Sequence, residues 1–245
     1  LCTKIANEQG ISVSTIENLM AALAGCEIDN VIVELNAGEV PVMDGSSGPF
    51  VKLFEEIGFV EQGLPRRIVR VLRSVTVRDG HKFLTITPSD APSIELEIDF
   101  ECLKIGRQSR HMPINKDVFL SEIANSRTFG FLDEVEALQA AGLAQGGTLD
   151  NAVVLSNGEV LNEGGLRHHD EFVRHKILDC LGDLYLAGAP VLGQVTGSCS
   201  GHALNNALLR ALLEDETAWV WDTVEEADAV ENTDDWNFES AMVTA

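Results

Sequence analysis

The chain has 245 residues, of which 45% are hydrophobic, and its 17 basic and 39 acidic side chains give a net charge of −22. This charge argues against nucleic acid as a partner, because phosphate binding requires a basic surface. No apolar run reaches the roughly 18 residues of a membrane span, and the five scattered cysteines include no C-x-x-C pair. We therefore expect a cytoplasmic globular protein with reduced thiols, no transmembrane segment and at most peripheral membrane contact.

The acidic excess is concentrated at the C-terminal end of the chain. From Glu214 onward there are eleven acidic residues, no Lys or Arg, and all three tryptophans. This composition predicts an acidic tail over residues 214–245 that the fold does not need. Only its Trp219-Val220-Trp221 patch is expected to dock, and the tail is a candidate for binding a regulatory protein.

The first domain is predicted to cover residues 1–62. Ser14 and Glu17 form an S-x-x-E capping box, which predicts a helix over 14–24 with Gly25 as its stop signal. The other elements expected in this domain are a strand over 31–35 and a helix over 49–58.

A second domain is predicted over residues 66–213, after a short linker. Alternating apolar residues around Asp-Gly and Asn-Gly turns predict strands at 68–77, 82–87, 94–100, 153–155, 159–161 and 191–195. Apolar residues at helical spacing predict helices at 115–125, 133–141, 170–187 and 201–213. Because strands and helices occur in segregated runs with hairpins, the predicted fold class is α+β rather than a parallel doubly wound sheet.

The predicted helix over 170–187 is the most informative segment. It places His175, Asp179 and Asp183 four residues apart, so the three side chains share one stripe of the helix. An imidazole and a carboxylate one turn apart can both bind one divalent cation, and the next carboxylate can orient a neighbouring group. An amphipathic helix with a solvated polar face explains the same spacing equally well.

A second histidine, His202, lies in the first turn of the last predicted helix, with Ser200 as the expected N-cap. The helix dipole there disfavours an imidazolium unless a carboxylate compensates for it, and Asp183 is a candidate for that carboxylate. A histidine that only caps or packs the helix is the simpler alternative.

The segment from Ser126 to Phe131 places Thr128, Phe129 and Phe131 around the glycine Gly130. A hydroxyl and two aromatic rings beside a flexible residue suit the wall of a pocket. An ordinary turn between a strand and a helix explains this segment nearly as well.

Several motifs together resemble the bacterial UDP-3-O-acyl-N-acetylglucosamine deacetylase family, a family of zinc amidases of lipid A synthesis in Gram-negative bacteria. The motifs are Thr-Ile-Glu-Asn-Leu-Met-Ala-Ala-Leu at 15–23, Asp29-Asn30, Met43-Asp44-Gly45-Ser46, Arg127-Thr128-Phe129-Gly130-Phe131, Leu161-Asn162-Glu163, the 170–183 helix and Ser200–Asn206. The resemblance implies two similar domains, each a β-sheet layered with two helices, whose helix layers face each other around the active site. It also implies an acylated UDP-sugar as substrate and an N-terminal β-rich stretch of domain 1 that this sequence does not include.

The resemblance also implies roles for individual residues. Zinc would be bound by His175, by Asp179 and by a third ligand at position 18, where the family has histidine and this chain has Asn18. A neutral amide is a poor zinc ligand beside an imidazole, so we expect weaker metal binding and slower hydrolysis. The other implied roles are Glu17 as general base, His202 with Asp183 as general acid, Thr128 and Lys176 in stabilisation and substrate contact, and Phe129, Gly130 and Phe131 as the wall near the sugar and acyl chain.

Two alternatives to a zinc-dependent deacetylase remain open at this point. A non-catalytic relative would have kept the nucleotide-sugar and acyl pocket and lost the metal. An unrelated interaction module would function through its acidic tail. Zinc content separates the enzyme from the first alternative, and removal of the residues after Leu213 tests the second.

Overall fold

The computed structural model describes residues 2–224, and residues 225–245, including Trp236, lie outside the described part of the chain. The helices in residues 2–224 are α1 (Glu17–Gly25), α2 (Gly48–Ile57), α3 (Lys116–Val118), α4 (Leu132–Ala140), α5 (Glu171–Leu184) and α6 (His202–Glu214). A π-helical turn over Phe119–Ile123 continues α3, and a 3₁₀ turn over Tyr185–Ala187 follows α5. The strands are β1 (Lys4–Ala6), β2 (Ser12–Ser14), β3 (Arg66–Val71), β4 (Val75–Asp79), β5 (Lys82–Thr87), β6 (Ser93–Asp99), β7 (Arg107–Pro113), β8 (Phe129–Phe131), β9 (Val153–Ser156), β10 (Glu159–Val160), β11 (Val191–Leu192), β12 (Gln194–Ser198) and β13 (Trp219–Val224).

The predicted α+β class is confirmed. The largest sheet has the strand order β4-β5-β12-β6-β7, in which β12 is antiparallel to β5 and parallel to β6. Two three-stranded sheets, β11-β3-β13 and β10-β9-β8, and the hairpin β1-β2 complete the strand pairing of the described residues. Helices and sheets therefore form separate layers.

Helices meet at the centre of the molecule. Helix α5 packs on β6 and β7, α6 packs on β4 and β5, and α1 lies across α5 from the other side. Gly182 permits this crossing, because a Cβ at that position would collide with the backbone carbonyl of Glu17. Residues from α1 and α5 consequently face each other at the site described below.

Two expectations for the N-terminal region were wrong. Ser14 belongs to β2, where it pairs with Lys4, and α1 begins at Glu17 without a side-chain cap. Strand pairing thus prevails over the local capping box, and the Glu17 carboxylate is free for another partner. Residues 31–35 form no strand, because no other strand of the described residues pairs with them. The side chain of Ile32 in this segment is accordingly 90% exposed.

The start of the expected tail is also corrected. Helix α6 extends to Glu214, and β13 pairs with β3 along its whole length, from Trp219 opposite Val71 to Val224 opposite Arg66. The patch of Trp219 and Trp221 does dock, as part of this strand, with the two rings in a T-shaped contact at 5.3 Å between centroids. Residues 214–224 therefore belong to the fold.

No helix within residues 2–224 is both long enough and apolar enough to cross a bilayer.

Candidate active site

An internal ion pair anchors the N-terminal end of α5. The fully buried carboxylate of Glu171 accepts hydrogen bonds from the backbone N–H, Nε and Nη2 of Arg127 and from the backbone N–H of Arg167. Burial alone would raise the pKa of Glu171, but these hydrogen bonds outweigh it and lower the pKa. The segment that carries Thr128 and Phe129 is thereby fixed against the helix that carries His175.

His175 and Asp179 are brought together as their spacing predicted. His175 Nε2 lies 3.3 Å from Asp179 Oδ1, and both side chains are almost fully buried. Burial lowers the pKa of His175, so the neutral ring is favoured. Its Nδ1 lies 3.1 Å from the carbonyl oxygen of Ser126, which can only accept a hydrogen bond, so the proton is on Nδ1. The lone pair of Nε2 therefore faces a carboxylate oxygen.

This pairing of two acceptors fits a shared cation. Burial would raise the pKa of Asp179, but the neighbouring His175, Lys176 and His202 lower it to about 2, so the carboxylate is ionised. Asp179 Oδ1 and Asn18 Oδ1 are both buried without a hydrogen-bond partner within residues 2–224. Their burial and the facing Nε2 lone pair are what a metal site provides.

The ligand chemistry of the site is weaker than that of an ordinary zinc site. An imidazole and a carboxylate are strong ligands, whereas Asn18, at the position where the family resemblance implies the third ligand, offers only a neutral amide oxygen. In the described residues no cluster of three or more His, Cys, Asp or Glu side chains has a geometry suited to a metal ion. The residues present fit a divalent cation held mainly by two ligands.

Lys176 lies at the edge of this pair. Its ammonium donates a hydrogen bond to Asp179 Oδ2 at 2.9 Å, and it lies 5.4 Å from the centroid of the Phe129 ring. The lysine side chain is half-buried, so it contacts the buried carboxylate of Asp179 and is also partly exposed to solvent.

Glu17, in the first turn of α1, supplies a second buried carboxylate. Its Oε2 accepts a hydrogen bond from the backbone N–H of Thr3 at 3.0 Å, and its Oε1 lies 4.0 Å from His202 Nε2. Burial raises the pKa of Glu17 above its ordinary value, and the backbone hydrogen bonds and the charge of His202 only partly oppose this. A carboxylate of raised pKa is suited to accept a proton near neutral pH.

The predicted contact between Asp183 and His202 is confirmed. His202 Nδ1 lies 2.8 Å from Asp183 Oδ2, which also accepts a hydrogen bond from Asn205 Nδ2 at 2.8 Å. Burial would lower the pKa of His202, but the hydrogen bond to Asp183 and the charges of Asp179, Asp183 and Glu17 raise it to about 9. His202 is therefore protonated at neutral pH. The expected N-cap at Ser200 was wrong, because Gly201 occupies that position and no side chain caps the helix.

The aromatic residues form one wall beside the imidazole of His175. The centroid of the Phe129 ring lies 6.2 Å from that of His175 and 4.9 Å from that of Phe172, and Phe129 and Phe131 both contact Phe100. Gly130 lies in β8 without a positive φ, and a Cβ there would make an ordinary contact with Val135.

Thr128 is positioned by its backbone. Its N–H donates to the carbonyl of Gly45 at 2.7 Å, and its carbonyl accepts from the N–H of Val153 at 2.8 Å. Its hydroxyl is half-buried, and the hydrogen bonds that position Thr128 within residues 2–224 are those of its backbone. The structure therefore does not bring the Thr128 hydroxyl into the network of Glu17 and His202.

Sequence reasoning missed three groups of the site. The Ser126 carbonyl fixes the His175 tautomer, Asn205 supports Asp183, and Thr3 contacts Glu17, Asp183 and His202. Asn205 could have been found, because it follows His202 by three residues on one helix face. Thr3 gives no such signal, since it lies 180 positions from Asp183.

Two imidazoles, three buried carboxylates and an ammonium group thus converge where two helices cross, and such a concentration of perturbed titratable groups is typical of an enzyme active site. Comparison with known proteins gives the particular kind of enzyme. The family model for UDP-3-O-acyl N-acetylglycosamine deacetylase matches residues 1–214, and the chain belongs to this family.

Individual relatives agree with the family match. The chain is similar to the UDP-3-O-acyl-N-acetylglucosamine deacetylase of Pasteurella multocida, with 47% identity over 94% of this chain and 76% of the relative. It is 45% identical to that of Vibrio parahaemolyticus, over 92% of this chain and 75% of the relative. For the enzyme of Shewanella violacea the identity is 47%, over 89% of this chain and 72% of the relative.

Proposed function

We propose that the chain is a zinc-dependent deacetylase that hydrolyses the N-acetyl group of UDP-3-O-acyl-N-acetylglucosamine in lipid A synthesis, with metal binding weakened by Asn18. The observation that carries the proposal is the neutral Nε2 of His175 facing the ionised Asp179 at 3.3 Å, beside Glu17 and the cationic His202. The family relationship supports the reaction and its substrate.

His175 and Asp179 would hold the metal, and Asn18 would offer its amide oxygen. When bound, zinc polarises the acetamide carbonyl and lowers the pKa of a water molecule to about 7. The carbonyl of Ser126 keeps the proton of His175 on Nδ1, so that Nε2 remains available to bind. Lys176 keeps Asp179 ionised.

The proton transfers belong to two residues on opposite helices. Glu17, with its raised pKa and with Oε1 on the side of His202, takes a proton from the attacking water. His202, with its pKa of about 9, gives a proton to the departing amine, and Asp183 holds the ring in place through Nδ1. Lys176 adds charge stabilisation beside Phe129, and Phe131 extends the wall for the sugar and acyl chain through the shared contact with Phe100. The Thr128 hydroxyl is available to the developing oxyanion.

The test is acetate release from the acylated UDP-sugar, with zinc supplied in excess. We expect slow hydrolysis that stops with a chelator and that falls further, by at least about 100-fold, when Glu17→Gln removes the base. The surface substitution Glu95→Gln is the matched control and should leave the rate unchanged. Tight substrate binding without any hydrolysis would contradict the proposal and favour a non-catalytic binding relative.

A further inference from the structure

Thr3 contacts both proposed proton-transfer groups of the site. It is 8% exposed, and it immediately precedes β1. Its backbone N–H donates to Glu17 Oε2 at 3.0 Å, and its hydroxyl donates to Asp183 Oδ1 at 2.5 Å and lies 3.2 Å from His202 Nδ1. A single residue therefore connects the base on α1 with the acid pair on α5 and α6.

The hydroxyl completes the hydrogen bonding of Asp183. Oδ2 of this carboxylate is occupied by His202 and Asn205, and Oδ1 accepts only the Thr3 hydroxyl among the described residues. The Asp183 side chain is 2% exposed, so water cannot readily replace a lost partner. With hydrogen bonds on both oxygens, the carboxylate has one orientation, and that orientation sets the imidazole of His202.

The backbone of Thr3 is itself fixed. The N–H of Ile16 donates to the carbonyl of Thr3 at 3.4 Å, and β1 pairs with β2 in the register Lys4 opposite Ser14. Since α1 begins three residues after that pair, strand pairing sets the position of Thr3 relative to Glu17. The hairpin is thus the element that delivers the hydroxyl to the site.

We propose that the Thr3 hydroxyl is a positioning group for proton transfer. It holds the carboxylate of Asp183, and through it the imidazole of His202, in a fixed position relative to Glu17. The expected effect on kcat rests on the proposed deacetylase function. The expected effect on the position of the His202 ring does not. Thr3 acts through Asp183, so its loss affects the chemical step more than substrate binding.

The test compares Thr3→Val, which keeps the shape and the backbone N–H but removes the hydroxyl, with Thr3→Ser, which keeps the hydroxyl. Both substitutions are made in the chain as it is and in the Asn18→His variant. The readouts are kcat and KM with zinc in excess, zinc content, and the ¹⁵N and ¹H signals of the His202 ring at one fixed pH, assigned by their loss in His202→Gln.

We expect Thr3→Val to lower kcat about 10–100-fold with KM within about twofold, and Thr3→Ser to stay within about threefold of the parent. Zinc content should not change, and the His202 ring signals should shift in Thr3→Val but not in Thr3→Ser. An equal loss in both variants, or an unchanged kcat in Thr3→Val, would overturn the inference.

The two proposals fail in different ways. If no version of the chain hydrolyses substrate, the proposed function fails, and the ring signals of His202 alone decide on Thr3. Unchanged signals in Thr3→Val would then refute the positioning role, and a shift that Thr3→Ser does not reproduce would support it.

Discussion

Gly182 of α5 lies directly against the backbone carbonyl of Glu17 of α1, so that even a methyl group between them would collide with that carbonyl. This contact sets the depth at which the two helices cross. It also places the proposed base opposite Asp179 and Asp183, which lie on either side of Gly182 in α5.

The first prediction concerns this crossing. Gly182→Ala should destabilise the protein by about 1–3 kcal/mol, because the backbone carbonyl of Glu17, rather than a flexible side chain, has to move. The free energy of unfolding is measured by chemical denaturation, and an unchanged m-value shows that the difference is one of stability. Gly146→Ala is the matched control, since a Cβ there meets nothing within 4 Å, and it should change the stability little. Equal stability of the two variants would show that the helices are not held at this distance.

The second prediction concerns pH. The pKa of His202 is raised to about 9 in the folded protein, from an ordinary value of 6.5, because the hydrogen bond and charges of its acidic neighbours outweigh its burial. Its contribution to stability is therefore complete below pH 6.5 and is lost as the pH rises towards 9. Measured between pH 6.5 and 7.5, below the ordinary titration of thiols, the free energy of unfolding should decline in the parent. The decline should be smaller in His202→Gln, and identical slopes in the two proteins would contradict the assignment.

Sequence patterns predicted those elements whose signal is local. Helix α5 was expected from residue 170 and begins at Glu171, because fourteen residues carry one consistent helical pattern. Residues 31–35 carry an equally clear strand pattern but form no strand, because a strand also requires a partner and none pairs with them in the described residues.

The site divides in the same way. The pair of His175 and Asp179 follows from spacing on one helix, and the contact between Asp183 and His202 follows from the needs of a helix-N-terminal imidazolium. The contacts of Thr3 depend on the register of a short hairpin and on the crossing of α1 and α5, which no local pattern encodes.

The third prediction concerns the C-terminal boundary. Truncation after Leu213 removes β13, which pairs with the buried Val69 and Val71 of β3. It also removes Ala218, which immediately precedes β13 and is fully buried. We expect a loss of at least about 2 kcal/mol, since uncovering a single buried aliphatic side chain costs about that much. Truncation after Val224 keeps the strand and is the control. If both truncated proteins unfolded at the same denaturant concentration, β13 would not contribute to stability.

The last prediction concerns position 18, where the buried amide oxygen of Asn18 has no hydrogen-bond partner among the described residues and the family resemblance implies a third metal ligand. Asn18→His would supply a second imidazole as a direct ligand. Residues that only hydrogen-bond to a ligand change metal affinity by roughly 10–100-fold, so the gain in zinc affinity should exceed this. Zinc should then be retained stoichiometrically through purification, and acetate release should increase with it. Asn18→Ala should bind zinc about as weakly as the parent, because the amide contributes little.

Adding His175→Ala to Asn18→His locates the metal. This double variant should lose the gained zinc, whereas His169→Ala, which removes an exposed histidine just before α5, should keep it. Metal content by elemental analysis and affinity by competition with a chelator are measured beside the unfolding midpoint, so that a folding defect is not mistaken for a lost ligand. A parent chain that already holds zinc as tightly as Asn18→His would show that another group completes the site.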